Sequence, residues 1–361
     1  MFEIRLHIRG GTVGCGAATK RSAIARHGFH MLEGVGMTIR IGTALMAALV
    51  AGFASMAAAQ ELRLVAISTI VEVPALMQSR DGILDGLAER GYVEGKNIRI
   101  DYQNANGSMP TQMQIANKFM GENPAVIVPI TTPTAQAMIS GTTGIPIVFA
   151  MVTDPVKAGL VPQFKQPGGR VTGVSDAEPI GPQLDLIISM VPNLKRLGFV
   201  YNPGLDNAIA TLEVLKVEAA ARGITVVESA SPTTNEVILA TRSLVGKVEA
   251  VYVPNDTTVV AALEAIIKVG QDVGMPIFTG ETDGVRRGSA GSVGLDYRAV
   301  GHTAGLMVAD VLDGKDPGTI DVVVAYEVHD KLETVINKGS AVKMGIVIPQ
   351  AVLDAADVVI E

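Results

Sequence analysis

Short apolar runs rich in Val, Ile and Ala recur along this chain from about residue 62, and nearly every one is followed by a stretch with helical spacing. That alternation is the strongest constraint in the sequence. A β-branched run of four to seven residues fits a strand covered on both faces better than a helix. A helix between successive strands makes their pairing parallel, because a parallel connection needs a long crossover. The first half reads as strands over residues 62–68, 98–103, 126–130 and 145–149, with helices over 74–90 and 110–120. The order restarts with strands over 196–201, 225–228, 250–254 and 276–279, separated by helices over 207–222, 236–245 and 257–270. Between the two halves Pro167-Gly-Gly-Arg-Val-Thr-Gly-Val-Ser-Asp176 breaks the rhythm. The expected fold is α/β, with two doubly wound parallel-sheet lobes and a ligand cleft between them. Three crossovers are expected, near residues 172–175, 294–297 and 322–324. One lobe takes residues 60–173 plus 298–322, the other 174–297 plus 323–361. A strand over 322–328 and a short helix at the end close the chain.

Composition sets the class. A chain of 361 residues is long for a single core. With 48% hydrophobic residues, 4% aromatics and no Trp, the core is built from aliphatic side chains. The formal net charge of −7, with no basic stripe beyond the N-terminus, excludes a nucleic-acid partner. Residues 37–59 read as a secretory signal. Arg40 supplies the charge, residues 41–56 the apolar stretch, and Ala57-Ala58-Ala59 the small-residue cleavage site before Gln60. Residues 1–36 read as an extension upstream of the true start at Met37. They contain Cys15, the single cysteine. The exported chain therefore has no disulfide, thiolate chemistry or lipid-bearing Cys, which fits a bacterial periplasm. Its two histidines, His302 and His329, suit neither a metal site nor a catalytic pair.

The strand ends carry the candidate site. Ser68-Thr69, Thr131-Thr132, Ala150 to Thr153, Tyr201-Asn202, Asn255-Asp256 and Glu281-Thr-Asp283 all follow apolar runs. Ligands of open α/β sheets sit off the carboxyl ends of the strands. The helix opening at Thr131 or Thr132, with Pro133 in its first turn, offers free N–H groups to an anion. A carboxylate would sit on Thr132 and Thr134, with Ala150 and Thr153 adding contacts. A cationic group of the same ligand would meet Glu281 or Asp283, with Asp176 and Asp256 as rivals. Thr69, Tyr201, Asn202 and Asn255 would line the side-chain end. The ordinary alternative is that these Thr and Asp residues only cap helices. A dehydrogenase, a P-loop enzyme and a Ser hydrolase each lack their motif: no Gly-x-Gly-x-x-Gly follows the first strand, no Walker sequence occurs, and no Gly-x-Ser-x-Gly has partners. No cofactor or metal is expected.

Longer motifs point the same way. Asp81-Gly…Gly86-Leu…Gly91-Tyr-Val-Glu-Gly-Lys-Asn97, Thr132-Pro-Thr-Ala-Gln-Ala and Ile145-Pro-Ile-Val-Phe-Ala-Met-Val-Thr-Asp-Pro come first. Pro167-Gly-Gly-Arg-Val-Thr-Gly-Val-Ser-Asp176, Tyr252-Val-Pro-Asn-Asp256 and Ile348-Pro-Gln-Ala-Val-Leu-Asp follow. In this order they resemble the substrate-binding proteins of bacterial ABC importers, in the branch that includes tryptophan and other aromatic amino-acid binders. The resemblance implies a periplasmic-binding-protein-like fold with hinged closure, a small ligand between the lobes, and delivery to ABC permease subunits by a monomer. It implies a binder and not an enzyme. Relatives often carry a His and an Asp where this chain has Val73 and Met77. The expected ligand is an amino acid, aromatic or branched apolar. Another small solute (a sugar, purine or organic acid) is the alternative within the fold, and an α/β enzyme the alternative outside it.

The leader is checked by mass spectrometry of protein recovered from the native envelope. Gln60 is expected as the first residue, and an N-terminus upstream of Met37 would refute both the signal and the displaced start.

Overall fold

The computed structural model describes residues 62–329 and 331–361; the expected leader, the upstream extension and Cys15 lie outside these residues. The chain opens with β1 (Arg63–Thr69), α1 (Pro74–Glu89), β2 (Ile98–Asn104), α2 (Met109–Glu122), β3 (Val126–Ile130), α3 (Thr132–Gly141), β4 (Ile147–Phe149) and β5 (Val171–Ser175). It then runs through α4 (Ile180–Met190), β6 (Arg196–Tyr201), α5 (Asp206–Ala221), β7 (Thr225–Ala230), α6 (Val237–Ser243) and β8 (Ala250–Val253). Next come α7 (Thr257–Val260), α8 (Leu263–Val273), β9 (Ile277–Thr279), α9 (Asp283–Arg286) and β10 (Gly291–Gly294). It ends with α10 (Tyr297–Leu312), β11 (Val323–Val324), α11 (Ala325–Val328), β12 (Glu333–Asn337), α12 (Lys338–Lys343), α13 (Gln350–Ala355) and β13 (Val358–Ile360).

Two sheets result. The first has the order β11-β5-β4-β3-β1-β2 and is parallel throughout. The second has the order β13-β12-β10-β9-β8-β6-β7, and only the β10–β12 pair is antiparallel. Each sheet reverses its strand order beside its first strand, at β1/β3 and at β6/β8. Loops that leave such a switch point diverge and open a crevice at the strand ends. The chain passes between the sheets three times: after β5, after β10, and between β11 and β12.

Side-chain alternation explains the layers. Val65 and Ile67 of β1 face one core, shared with Ile83 and Leu87 of α1 and with Val300 and Ala304 of α10. Ala66 faces the other, with Ile115 and Phe119 of α2 and Met138 of α3. Period-two alternation in a strand produces two faces, and both are buried here because helices cover each side. The second sheet is centred on Phe199, Val251, Tyr252 and Phe278.

Three expectations need correction. The expected strand over 322–328 is only two residues long, and the backbone then turns through α11, burying Ala325 and exposing Tyr326 and Val328. The expected helix over 257–270 is two helices, broken where Ala262 leaves helical geometry at φ −116°. The closing helix is followed by a strand, β13, that pairs with β12. Neither strand has a long apolar run, so their partners and not their composition make them strands.

Helix α10 returns the chain to the first lobe and lies against α1 with almost no side chain between them. Gly82 and Gly86 on α1 face Gly301 and Gly305 on α10. A Cβ at Gly301 would overlap the Ser79 carbonyl, and one at Gly305 would overlap that of Ile83. Glycines four residues apart lie on one helix face, so both helices present a flat strip to the other. Gly301→Ala should destabilise the protein by about 1–3 kcal/mol through overpacking. Urea unfolding measures this, and an unchanged midpoint would contradict the close approach.

Candidate functional site

The carboxyl ends of both sheets meet across one cleft. From the first lobe come Val73 just before α1 and Pro74 to Leu76 in its first turn, Thr131 and Thr132 after β3, and Met151 and Thr153 after β4. Asn207, Asn255 to Thr257, Val260, Glu281, Asp283 and Arg287 enter from the second. Two of the crossovers also reach it, through Asp176 and Tyr297. The lining is thus supplied by both switch points.

The backbone is strained where it meets the cleft. Thr131 has φ 88° and Met151 has φ 55°, conformations that L residues rarely adopt. Such strain persists where surrounding bonds hold it, and it clusters at binding sites. At Thr131 the N–H donates to Ala150 O at 3.0 Å, and Oγ1 pairs with Thr134 Oγ1 at 3.0 Å. Thr131 occupies the N-cap position of α3 without capping it through its side chain. The N–H groups of Thr132 and Thr134 therefore stand at the helix start with no intrahelical carbonyl to bond.

Several buried polar atoms facing the cleft have no protein partner: Thr132 Oγ1, Asn207 Oδ1, Asn255 Oδ1, Glu281 Oε2 and Arg287 Nη1. A buried polar group left unpaired costs about 1–3 kcal/mol, so five at one place mark a surface built for something else to bond. Arg287 is anchored through its other nitrogens, which donate to Glu264 at 2.7 and 2.9 Å and to Val260 O at 2.9 Å.

The cleft is acidic. Burial, with the neighbouring Glu178 carboxyl adding to it, pushes Asp176 up to about 7. Burial, then Asp283, pushes Glu281 up to about 7 as well. Burial also raises Asp283, which accepts from Gln78 Nε2 at 3.1 and 2.9 Å. Asp256 is held at about 6 by burial, although both of its oxygens are used. Oδ1 accepts from Thr258 N at 2.8 Å and Val259 N at 3.2 Å, and Oδ2 accepts from Asn202 N at 2.6 Å. Asp256 therefore caps α7, while Glu281 keeps an oxygen free.

Of the residues named from sequence, Thr131, Thr132, Thr153, Asp176, Asn255, Asp256, Glu281 and Asp283 come together in this lining. The structure places the other five elsewhere. Thr69 is buried and bonds the Tyr102 hydroxyl at 2.8 Å. Thr134 spends its hydroxyl on Thr131, and Ala150 bridges β3 and β4 through its backbone. Tyr201 turns outward to Glu228 at 2.8 Å, and Asn202 bonds Thr258 Oγ1 at 2.9 Å. Arg287, Asn207, Tyr297 and the apolar wall of Val73, Pro74, Ala75, Leu76, Met151 and Val260 had no signal in the strand ends. Arg287 and Tyr297 sit inside or beside helices, where a polar residue reads as surface. Val73 lines the cleft, whereas Met77 packs against the Tyr102 hydroxyl at 3.7 Å.

Bonds also cross the cleft at its rim. Gln78 reaches Asp283, Gln136 Nε2 donates to Asp206 Oδ2 at 2.6 Å, and Lys157 pairs with Glu213 at 2.8 Å. The lobes are thus held in a closed arrangement.

Two parallel α/β lobes around a polar, closed cleft define a binding protein for small molecules. The family profile described as ABC transporter substrate binding protein matches residues 64–360, and the chain belongs to that family. Membership implies a small-molecule ligand and an ABC transporter as partner. A curated relative, the tyrosine-binding protein of Clostridioides difficile (strain R20291), is 38% identical over 274 residues, covering 76% of this chain and 78% of the relative. A solved domain from Streptococcus pneumonia in complex with L-Trp is 34% identical, with TM-score 0.79, covering 83% of this chain and 100% of that one. The ligand-free, open structure of a substrate binding protein with adhesive properties from Clostridium difficile is 32% identical, with TM-score 0.63, covering 83% and 99%. At nearly equal identity, this chain superposes better on the ligand-bound structure than on the open one, in keeping with its cross-cleft bonds.

The raised acids give a pH dependence. Asp176 and Glu281 at about 7 and Asp256 at about 6 lie above their unfolded values of roughly 4. A raised acid contributes stability below its unfolded value and loses it as pH rises through its folded value. The melting temperature of the ligand-free protein should therefore fall between about pH 4 and pH 7, and level off above that. Glu281→Gln should flatten that slope, and identical slopes in a thermal scan would contradict the burial of this acid.

Proposed function

We propose that this protein captures an α-amino acid with an aromatic or branched apolar side chain and presents it to the membrane subunits of an ABC permease. The observation that carries this reading is the pairing of opposite unmet needs in one cleft. Glu281 Oε2 and Asn255 Oδ1 are unpaired acceptors beside Asp176. An ammonium has three hydrogens to give and gains most from charged acceptors. Thr132 Oγ1 and the N–H groups at the start of α3 are donors suited to a carboxylate, and Arg287 Nη1 adds a cationic donor. The wall from Val73 to Leu76, with Met151 and Val260, takes an apolar side chain.

A neutral sugar brings no positive charge for Glu281 and Asp176, and an organic acid adds negative charge beside them. The names of the relatives support the amino-acid reading, one a tyrosine-binding protein and one bound to L-Trp. The leader expected over residues 37–59 and the family together favour a periplasmic monomer that binds without catalysing a reaction. Opening and closing about the three crossovers would expose the cleft and then seal it.

Isothermal titration with L-tyrosine and L-tryptophan tests the reading. Because the chain has no Trp, the fluorescence of bound L-tryptophan reports its burial without background. Glu281→Ala should weaken binding by about 2 kcal/mol, roughly thirtyfold in Kd, because a buried ammonium loses its charged partner. Wild-type protein that ignores both amino acids but binds a sugar or an organic acid would overturn the proposal.

A further inference from the structure

The first crossover, residues 176–179, carries a second acid whose hydrogen bonds determine where its proton sits. Glu178 is 9% exposed and lies behind the cleft lining. All of its bonding partners belong to the second lobe. Its Oε1 accepts from Thr211 Oγ1 at 3.0 Å and from the Asn255 N–H at 3.1 Å, and its Oε2 meets the Tyr252 hydroxyl. The same hydroxyl lies 2.6 Å from Gln183 Oε1. The Gln183 amide cannot be reversed, because its Nε2 donates to the carbonyls of Gly280 at 2.9 Å and Val293 at 2.8 Å. Gln183 Oε1 is therefore an acceptor only.

The Tyr252 phenol has one proton for two oxygen neighbours. Given to Glu178, it would leave the phenol oxygen facing Gln183 Oε1 at 2.6 Å with no hydrogen between them. Given to Gln183, it leaves the Glu178 contact in need of a hydrogen from Glu178. The chain Glu178 O–H to Tyr252 O–H to Gln183 O=C then runs one way, with every donor and acceptor matched, and such chains reinforce themselves. We infer that Glu178 carries its proton at neutral pH and serves as a neutral positioning residue for Asn255, the cleft residue it is bonded to.

The surroundings favour the neutral form. Burial is the main cause that raises this acid, and Asp256 adds to it. The titratable groups that face it are the Asp176 and Asp256 carboxyls and the Tyr252 and Tyr297 phenols. Among the described residues no lysine or arginine pairs with it. Gly280 leaves the space for this cluster, since a Cβ there would crowd Glu178, Tyr252 and Asn255 together. The function follows from charge. Asn255, which lines the cleft, donates its N–H to Glu178, and Asp176 precedes Glu178 by two residues on the same crossover. A neutral acid can fix Asn255 without adding charge beside Asp176 or competing for a ligand cation. What the cleft holds rests on the amino-acid reading, but the position of the proton does not.

The test compares wild type with Glu178→Gln, which offers the same donor and acceptors without an ionisable proton, and with Glu178→Leu, which offers neither. The infrared difference spectrum of wild type minus Glu178→Gln at pH 7 should show a carboxylic-acid C=O band. The melting temperature of wild type should fall relative to Glu178→Gln as pH rises, because a raised acid loses its contribution above its folded value. Glu178→Leu should bind L-tyrosine and L-tryptophan at least tenfold more weakly, and Glu178→Gln should recover most of that loss. If the Leu variant does not fold, Thr211→Val, which removes one bond to Glu178, takes its place. The inference is overturned by a missing band, by melting curves that move in parallel with pH, by a Gln variant that cannot fold, or by Gln and Leu variants equally impaired in binding. If wild type binds neither amino acid, the ligand assignment fails, while the infrared and melting results still decide the proton.

Discussion

Parallel strands all end at the same edge of their sheet, and that edge is where backbone and side-chain polarity must be satisfied. In this protein two such edges are turned toward each other. The loops from β1, β3 and β4 meet those from β6, β8 and β9 across one cleft. Removing both edges from water leaves polar groups that the loops cannot all pair among themselves. Some are absorbed internally, as Asp256 is by the N–H groups of α7 and of Asn202. The remainder, including Glu281 Oε2 and Thr132 Oγ1, are left facing the space between the lobes.

The three crossovers turn this arrangement into one that can respond. Asp176 leads the first and Tyr297 follows the second, so two of the chain's passages between lobes line the cleft. Several contacts that span the lobes lie at the rim, among Gln78, Gln136, Lys157 and their partners, and one lies inside, from Asn255 Nδ2 to the Tyr297 hydroxyl at 2.7 Å. All are polar, and the exposed pairs contribute only modestly to stability. The cores behave differently. The strip of Gly82, Gly86, Gly301 and Gly305 locks α10 to α1, and each sheet has its own buried aliphatic layers. Strong packing within each lobe and polar contact between them would suit the opening and closing proposed above.

Acids in the cleft divide by what pairs with them. Asp256 is spent on capping, Asp283 on Gln78, and Glu178 on the network of Tyr252 and Gln183. Asp176 accepts only weakly from Thr153 Oγ1 at 3.4 Å and Glu281 keeps Oε2 free, and burial pushes both up to about 7. Asp176, Asp256, Glu281 and Asp283 look alike in sequence, each near a strand end. Their hydrogen-bond partners, which come from distant segments, give them different work.

The sequence by itself determined the α/β class, the two-lobed plan and the strand ends that face the cleft, because period, β-branching and Gly/Pro punctuation are local properties. Thr132, Asp176, Asn255 and Glu281 were legible for that reason: each stands within two residues of the end of a strand. Tertiary structure decided the rest. β12 and β13 are strands because of the neighbours they pair with, not because of their own composition. Tyr201 and Asn202 sit at a strand end yet turn away from the cleft, since Glu228 and Thr258 offer them partners there. Arg287 lies next to a short helix and looks like a surface cation, but Glu264 folds it inward so that Nη1 reaches the cleft. Glu178 has no local signature at all. The proton inferred for it follows from which way the Gln183 amide is held, by the carbonyls of Gly280 and Val293, and only the folded chain brings those residues together.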